Sequence, residues 1–255
     1  MYKFFDMLIS TWWGITSIIL FCVLVLMVFS ILLYKQFFKR FYDVLLSGIA
    51  ILILLPIFIV LSILGAIKMK GNPFFTQLRP GKNEKIFKLV KFRTMTCEKD
   101  ENGVLLSDEK RLTKYGRMLR KTSLDELPEL FNIFIGDMSI VGPRPQLVRD
   151  MVFMSEEVRK RHSVRGGLTG LAQVCGRNNI TWEQKFEYDL NYIENISFFR
   201  DIKIIFQTVF KVLKRSDVER EGTVSDIDYG DWLLKNGRID EEFYNTKQNE
   251  ASKLI

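Results

Sequence analysis

The stretch VLLSGIAILILLPIFIVLSILGAI, Val44 to Ile67, decides the fold: it is an uncharged apolar run with Pro56 near its middle. Its length and composition suit a lipid bilayer, and a proline inside a helix removes one backbone hydrogen bond and clashes with the carbonyl four residues earlier. A sharp bend at Pro56 therefore has a cause. If the run crossed completely, Lys68, Lys70 and the basic stretch behind them would lie opposite Lys35, Lys39 and Arg40. That arrangement opposes the tendency of Lys and Arg to stay on the cytoplasmic side. A helix that enters, bends at Pro56 and returns keeps both ends cytoplasmic, and this re-entrant form is the expectation. An ordinary kinked spanning helix is the alternative, because proline is tolerated within membranes.

Working outward, Trp12 to Leu33 is 22 residues without a charge. As a helix it extends roughly 33 Å and crosses a bilayer core. It is too long for a secretory signal, and no small-residue cleavage site follows it. Lys35, Lys39 and Arg40 follow the span while Lys3 precedes it, which places the amino terminus outside and residue 35 onward in the cytoplasm. Trp12 and Trp13 then lie at the outer interface.

The remainder has the mixed texture of a soluble domain. A content of 47% hydrophobic residues excludes a disordered chain. The net charge of +7 is localised: Lys68 to Lys121 carries 15 Lys/Arg against 6 Asp/Glu, whereas residues 214 to 255 carry 7 against 10. The basic half faces something anionic, with lipid headgroups and phosphorylated ligands ahead of nucleic acid, for which no recognised module is present. Cys22, Cys97 and Cys175 have no metal-ligand or paired spacing.

Phe74 to Arg79 and Lys85 to Phe92, around Pro80-Gly81-Lys82-Asn83, predict a β-hairpin, and residues 97 to 110 a loop. A short basic helix spans about Lys114 to Lys121, and a polar helix about Gln146 to His162. Trp182 to Ile196 and Phe198 to Leu213 are amphipathic. The second places Phe199, Ile202, Phe206 and Phe210 on one face with Asp201 away from it, a pattern that usually means core and also fits a helix lying in the headgroup plane. The acidic segment after Arg215 reads as a partly ordered appendage. The fold class is thus α+β, a mainly helical membrane protein. It has a spanning helix (1–36), a re-entrant helix (37–70), a small cytoplasmic domain with a hairpin and interfacial helices (71–215), and an acidic extension (216–255).

Thr122-Ser123-Leu124-Asp125-Glu126-Leu127-Pro128 puts two carboxylates side by side in what reads as the first turn of a helix. One reading is a capping box between Ser123 and Glu126; the other is chemistry on an anion at a helix amino terminus. Val141-Gly142-Pro143-Arg144-Pro145 holds one arginine between two prolines. Arg165-Gly166-Gly167-Leu168-Thr169-Gly170 has enough glycine for backbone N–H groups to approach an anion, or simply marks a turn. His162 has no partner in a nucleophile motif, which argues against a Ser-His-Asp site.

Lys39-Arg40 with Asp43, the proline-broken helix, Lys91-Phe92-Arg93-Thr94-Met95, Asp125-Glu126-Leu127-Pro128, Gly136-Asp137-Met138-Ser139, Val141-Gly142-Pro143-Arg144-Pro145 and Thr169-Gly170-Leu171-Ala172-Gln173-Val174 occur in one order. In that order the chain, over about residues 37 to 215, resembles the bacterial sugar transferases, the monotopic phosphoglycosyl transferases that begin glycan assembly on undecaprenyl phosphate.

The resemblance implies that Asp125 is a nucleophile toward the sugar-bearing phosphorus of a UDP-sugar, expelling UMP, and that undecaprenyl phosphate then takes the phosphosugar. It implies Mg²⁺ held by Glu126, phosphate contacts from Lys91, Arg93, Arg144 and Arg177, and a ligand loop including Thr169, Gly170 and Gln173. It places the protein in the bacterial cytoplasmic membrane, with the catalytic part on the cytoplasmic face among membrane lipids, and leaves the sugar, the exopolysaccharide or capsule pathway and any homo-oligomer open. Two rivals are a glycosyltransferase that releases UDP and a non-catalytic adaptor for anionic lipid.

Overall fold

The computed structural model of the chain describes residues 2–176, 180–214 and 227–255. Arg177 lies outside the described residues. Helix α1 (Tyr2–Leu32) leads through a π-helical turn at Tyr34–Phe38 into α2 (Lys39–Met69). Ser10–Leu32 and Tyr34–Met69 are both long and apolar enough to cross a membrane. In the first of them the core is absent: Trp12, Trp13, Leu20 and Phe21 are among its exposed side chains. Apolar surface of that extent is stable only against lipid or a partner.

Helix α2 runs through Pro56 as one helix. Both halves of it are attached to the same globular body. At its beginning Tyr34 Oη and Lys39 Nζ donate to Asp201 at 2.7 and 2.6 Å. Arg40 donates to the carbonyls of Ile133 (2.6 Å) and Phe134 (2.9 Å), and Asp43 accepts from Ile140 N at 2.9 Å. Beyond Pro56, the Phe58 ring meets Phe131 and Phe92 at 5.3 and 6.1 Å, and Tyr115 Oη donates to Leu61 O at 2.9 Å. Near its end Gly65 is needed for close approach, since a Cβ there would lie 2.9 Å from the Pro73 ring.

The body begins with the hairpin β1 (Phe74–Pro80) and β2 (Ile86–Phe92), antiparallel in the register Phe74↔Phe92 to Pro80↔Ile86. Alternation sends Phe87 and Leu89 into the core, and Phe92, out of that period at the strand's end, is buried as well; they join Phe58, Leu61, Leu119, Leu130, Ile133 and Met138. Residues 97 to 110 are mostly loop, with the short helix α3 (Asp108–Arg111), and the basic helix α4 occupies Lys114–Lys121. Helix α5 (Glu129–Ile135) packs against α2, and β3 (Met138–Val141) pairs in parallel with β4 (Gly166–Thr169).

The expected polar helix from Gln146 to His162 is instead α6 (Val148–Met151), α7 (Glu156–Arg159) and a 3-10 turn at Lys160–Ser163. Ser155 starts a helix of its own by accepting from Val158 N, so the run is split at that serine. Helices α8 (Leu171–Cys175), α9 (Trp182–Glu194) and α10 (Phe198–Lys214) complete this body. The apolar stripe of α10 is not core. Phe199, Phe206 and Phe210 are 65%, 70% and 58% exposed, whereas Asp201 is buried with Tyr34, Lys39 and Tyr192 Oη bonded to it. A buried, multiply bonded carboxylate turns the helix over, leaving the phenylalanines to face outward. The acidic segment is also more than an appendage: α11 (Tyr229–Lys235) and α12 (Glu241–Ser252) both pack on α6.

Candidate active site

Helix α4 ends at Thr122, and Ser123 takes a left-handed conformation, φ 56°, with its N–H on Arg120 O. That reversal aims the next residues, a 3-10 turn at Leu124–Glu126, across the inner face of the hairpin. The capping box expected from Ser123 and Glu126 does not form. An N-cap needs an extended backbone, whereas Ser123 closes the preceding helix, and its side chain makes no cap bond. The acidic pair therefore lies in a tight turn ahead of α5, not in the first turn of a long helix.

Glu126 is instead held by two cations. Lys91 Nζ, on β2, lies 2.7 Å from its Oε1, and the Arg144 guanidinium grips both oxygens, Nη1 at 3.4 Å from Oε2 and Nη2 on Oε1. Burial alone would raise the Glu126 carboxyl, but the charges of Arg144 and Lys91 outweigh it and keep the group ionised well below the usual carboxylate range. Arg144 is in turn held charged chiefly by Glu126. Asp125 behaves oppositely: burial and then the Glu126 charge push its carboxyl up, while Lys91, Arg120 and Arg144 pull it down. Two adjacent carboxylates are thus driven apart in acidity, an arrangement that separates chemical roles.

Three groups that the motifs did not single out complete the surroundings. Glu129, three residues beyond Glu126 and so on the same face, is 1% exposed. Lys91 Nζ approaches its Oε1 at 3.1 Å, off the angle of a hydrogen bond. Burial raises Glu129 to about 7, with Lys91 opposing and Glu126 assisting. Arg79, on β1, donates to Pro145 O at 3.1 Å and to Gln77 Oε1 at 2.7 Å, and burial with the Arg144 charge lowers it to about 10. Arg161, 2% exposed, pairs with Asp189 at 2.6 Å and donates to Arg144 O at 2.7 Å. An i, i+3 spacing from Glu126 was the available signal for Glu129. Nothing local marks Arg79 or Arg161 as supports of this loop, since the carbonyls they hold are 66 and 17 residues away.

The glycine-rich segment does something other than bare its amides to an anion. Gly167 N donates to Pro143 O and Gly142 N to Thr169 O, both at 2.9 Å. A Cβ on Gly167 would stand 2.1 Å from Gly142 N, and one on Gly170 2.2 Å from Gly142 O. The glycines are needed so that β4 can support the Arg144 loop at backbone distance. Thr169 Oγ1 bonds Thr208 Oγ1 at 2.6 Å, and Gln173 donates to Leu168 O at 3.0 Å; among the described residues no hydrogen bond links either to the acidic pair. Arg93 follows Lys91 out of β2 with a half-buried side chain and its N–H on Pro73 O. The structure therefore assembles Lys91, Asp125, Glu126 and Arg144, with Thr169, Gly170 and Gln173 behind the Arg144 loop.

Among the described residues no cluster of three or more His, Cys, Asp or Glu is arranged to hold a metal. Mg²⁺ does not demand one, since it commonly takes one or two carboxylates and completes its shell with water and substrate phosphate. Glu126, ionised and 21% exposed at its side chain, fits that requirement once a diphosphate takes over its cations.

The ionised, arginine-gripped carboxylate and its neighbour of raised pKa lie beside a helix long and apolar enough to cross a membrane, within the part of the chain that known proteins match. The family model for bacterial sugar transferases matches residues 34–215, and the chain belongs to that family. Among its relatives, an uncharacterized sugar transferase of Bacillus subtilis (strain 168) is 47% identical over 73% of this chain and 93% of its own length. A UDP-glucose:undecaprenyl-phosphate glucose-1-phosphate transferase of Klebsiella pneumoniae is 40% identical over 68% of this chain, which spans 40% of that protein. An exopolysaccharide production protein of Rhizobium meliloti (strain 1021) is 36% identical over 67% of this chain and 83% of its own.

Proposed function

We propose that the protein moves a sugar 1-phosphate from a UDP-sugar to undecaprenyl phosphate at the cytoplasmic face of the membrane, through a covalent intermediate on Asp125. The observation that carries the reading is the division of labour in the acidic pair: Lys91 and Arg144 hold Glu126, while Asp125 lies beside it with a raised pKa. An Asp125 carboxylate oxygen attacks the sugar-bearing phosphorus, and that phosphorus–oxygen bond to UMP breaks, with UMP leaving on the bridging oxygen. An oxygen of the lipid phosphate then attacks the same phosphorus, the bond to Asp125 breaks, and the carboxylate is restored. One difficult displacement becomes two easier ones.

Two anions approach one another only with positive charge at hand. Lys91 and Arg144 provide it, exchanging part of their hold on Glu126 for phosphate oxygens; a guanidinium fork suits two of them at once. Mg²⁺ on Glu126 would neutralise charge on the diphosphate when bound. Arg93 and Arg177 remain further candidates for phosphate contact.

Topology supports the placement. Because residues on both sides of Pro56 bond to one globular body, from Arg40 on α5 to Gly65 against Pro73, α2 favours a path that enters and leaves on the same side. The outward phenylalanines of α10 fit the headgroup plane. That holds the carboxylates at the depth of a lipid phosphate. The deciding experiment incubates the full-length protein in membranes with undecaprenyl phosphate, Mg²⁺ and a panel of UDP-sugars. UMP release that Asp125→Asn abolishes is the expected result. Release of UDP would overturn the reading in favour of direct sugar transfer, and normal turnover by Asp125→Asn would remove the nucleophile.

A further inference from the structure

The carboxy-terminal helices lie beyond residues 34–215, the part matched by the family, yet they pack on α6, the helix that follows the Arg144 loop. Two guanidinium groups hold consecutive carbonyls of the loop that presents Arg144: Arg161 Nη2 donates to Arg144 O at 2.7 Å and Arg79 Nη1 to Pro145 O at 3.1 Å. Tyr229, the first residue of α11, touches Phe186, which meets Arg161, and Asp150 of α6, the helix packed on the strand of Arg79. Its N–H donates to Asp150 Oδ1 at 2.9 Å, joined by Gly230 N at 3.4 Å. Asp150 is 2% exposed on α6, which packs against β1, the strand that carries Arg79. The Tyr229 ring meets Phe186 edge-on, 5.0 Å between centroids, and Phe186 in turn carries the Arg161 guanidinium at 5.9 Å. The fit is tight, because a Cβ on Gly230 would lie 2.5 Å from the Phe153 ring.

We propose that residues 227–252 form a positioning element for Arg144, in which Tyr229 seats the two arginine supports that fix the Arg144–Pro145 backbone. The proposal rests on the reading that Arg144 binds the donor's phosphates. A bidentate fork is sensitive to where its backbone stands, and a displacement of about 1 Å remote from the reacting atoms can cost up to about a hundredfold in rate. Two supports converging from one residue make Arg144's placement depend on a segment that touches no substrate.

The test uses the full chain in lipid nanodiscs, with UMP release measured against UDP-sugar concentration and amide hydrogen exchange followed across residues 142–148. Tyr229→Ala is expected to raise KM about tenfold with kcat within about twofold, and to speed exchange in that loop. Tyr229→Phe, which keeps the ring edge, should match the wild type; both variants retain the backbone N–H on Asp150. In an Arg144→Lys background, adding Tyr229→Ala should raise KM no further. If Tyr229→Ala does not fold, Tyr229→Leu fills most of its volume and is read in the same way. Unchanged loop exchange, or an equal KM effect in both backgrounds, overturns the proposal. Release of UDP by the wild type would overturn the reaction instead, and the exchange comparison would still decide the role of Tyr229.

Discussion

Replacing Glu129 by Gln tests the electrostatics of the site without touching the nucleophile. Glu129 is 1% exposed, and its carboxyl is raised from 4.5 to about 7, first by burial and against the pull of Lys91. The folded protein keeps this proton where the unfolded chain has released it. Stability from the protonated group is therefore fully present below about pH 4.5 and is lost as pH rises through about 7. The difference corresponds to about 3 kcal/mol. For a chain of this size that is a relative change of about 6–12 °C in Tm. Glu129→Gln keeps the side chain's volume and cannot ionise, so any fixed cost of the amide beside Lys91 appears as an offset, not a slope. Thermal unfolding of the full-length protein and the variant in one detergent, from pH 4.5 to 8, should show the wild type losing ground to Glu129→Gln across that window. A difference that stays flat, or that moves in favour of the wild type with rising pH, would refute the assignment of a buried neutral acid.

Glu126→Gln should slow UMP release and shift its Mg²⁺ titration to higher concentrations; an unaltered titration would show that Glu126 does not hold the metal. Cysteines placed singly at Phe38 and Asn72 should both react with a membrane-impermeant reagent applied from the cytoplasmic side, whereas labelling from opposite sides would establish that α2 spans. Arg161→Ala leaves the Asp189 carboxylate, 3% exposed, without its arginine and should destabilise by about 3–5 kcal/mol in chemical unfolding. A loss below about 1 kcal/mol would mean that water reaches Asp189.

Much of the local structure follows from pattern alone. The hairpin at Phe74–Pro80 and Ile86–Phe92, the basic helix Lys114–Lys121 and the helices at Trp182–Glu194 and Phe198–Lys214 lie within a few residues of the expected bounds. Each is announced by a period of two or 3.6 and by adjacent turn residues. Orientation was harder. The apolar stripe of α10 carries equal hydrophobicity whether it meets core or lipid, and only the three bonds to Asp201 from Tyr34, Lys39 and Tyr192 decide which face is buried. Ser123 illustrates the same limit, since Ser-x-x-Glu reads as a helix start until the backbone reverses there.

The sequence by itself determined the family, the two membrane-length apolar helices and the residue types available for catalysis, because these depend on composition, spacing and motif order along the chain. Tertiary structure alone decided that Lys91 and Arg144 converge on Glu126, that Glu129 is buried beside them, and that Tyr229 backs the supports of the Arg144 loop. Those contacts join positions 18 to 79 residues apart, and the charge of a carboxyl depends on what is brought next to it and on how far water is removed, neither of which a linear pattern records.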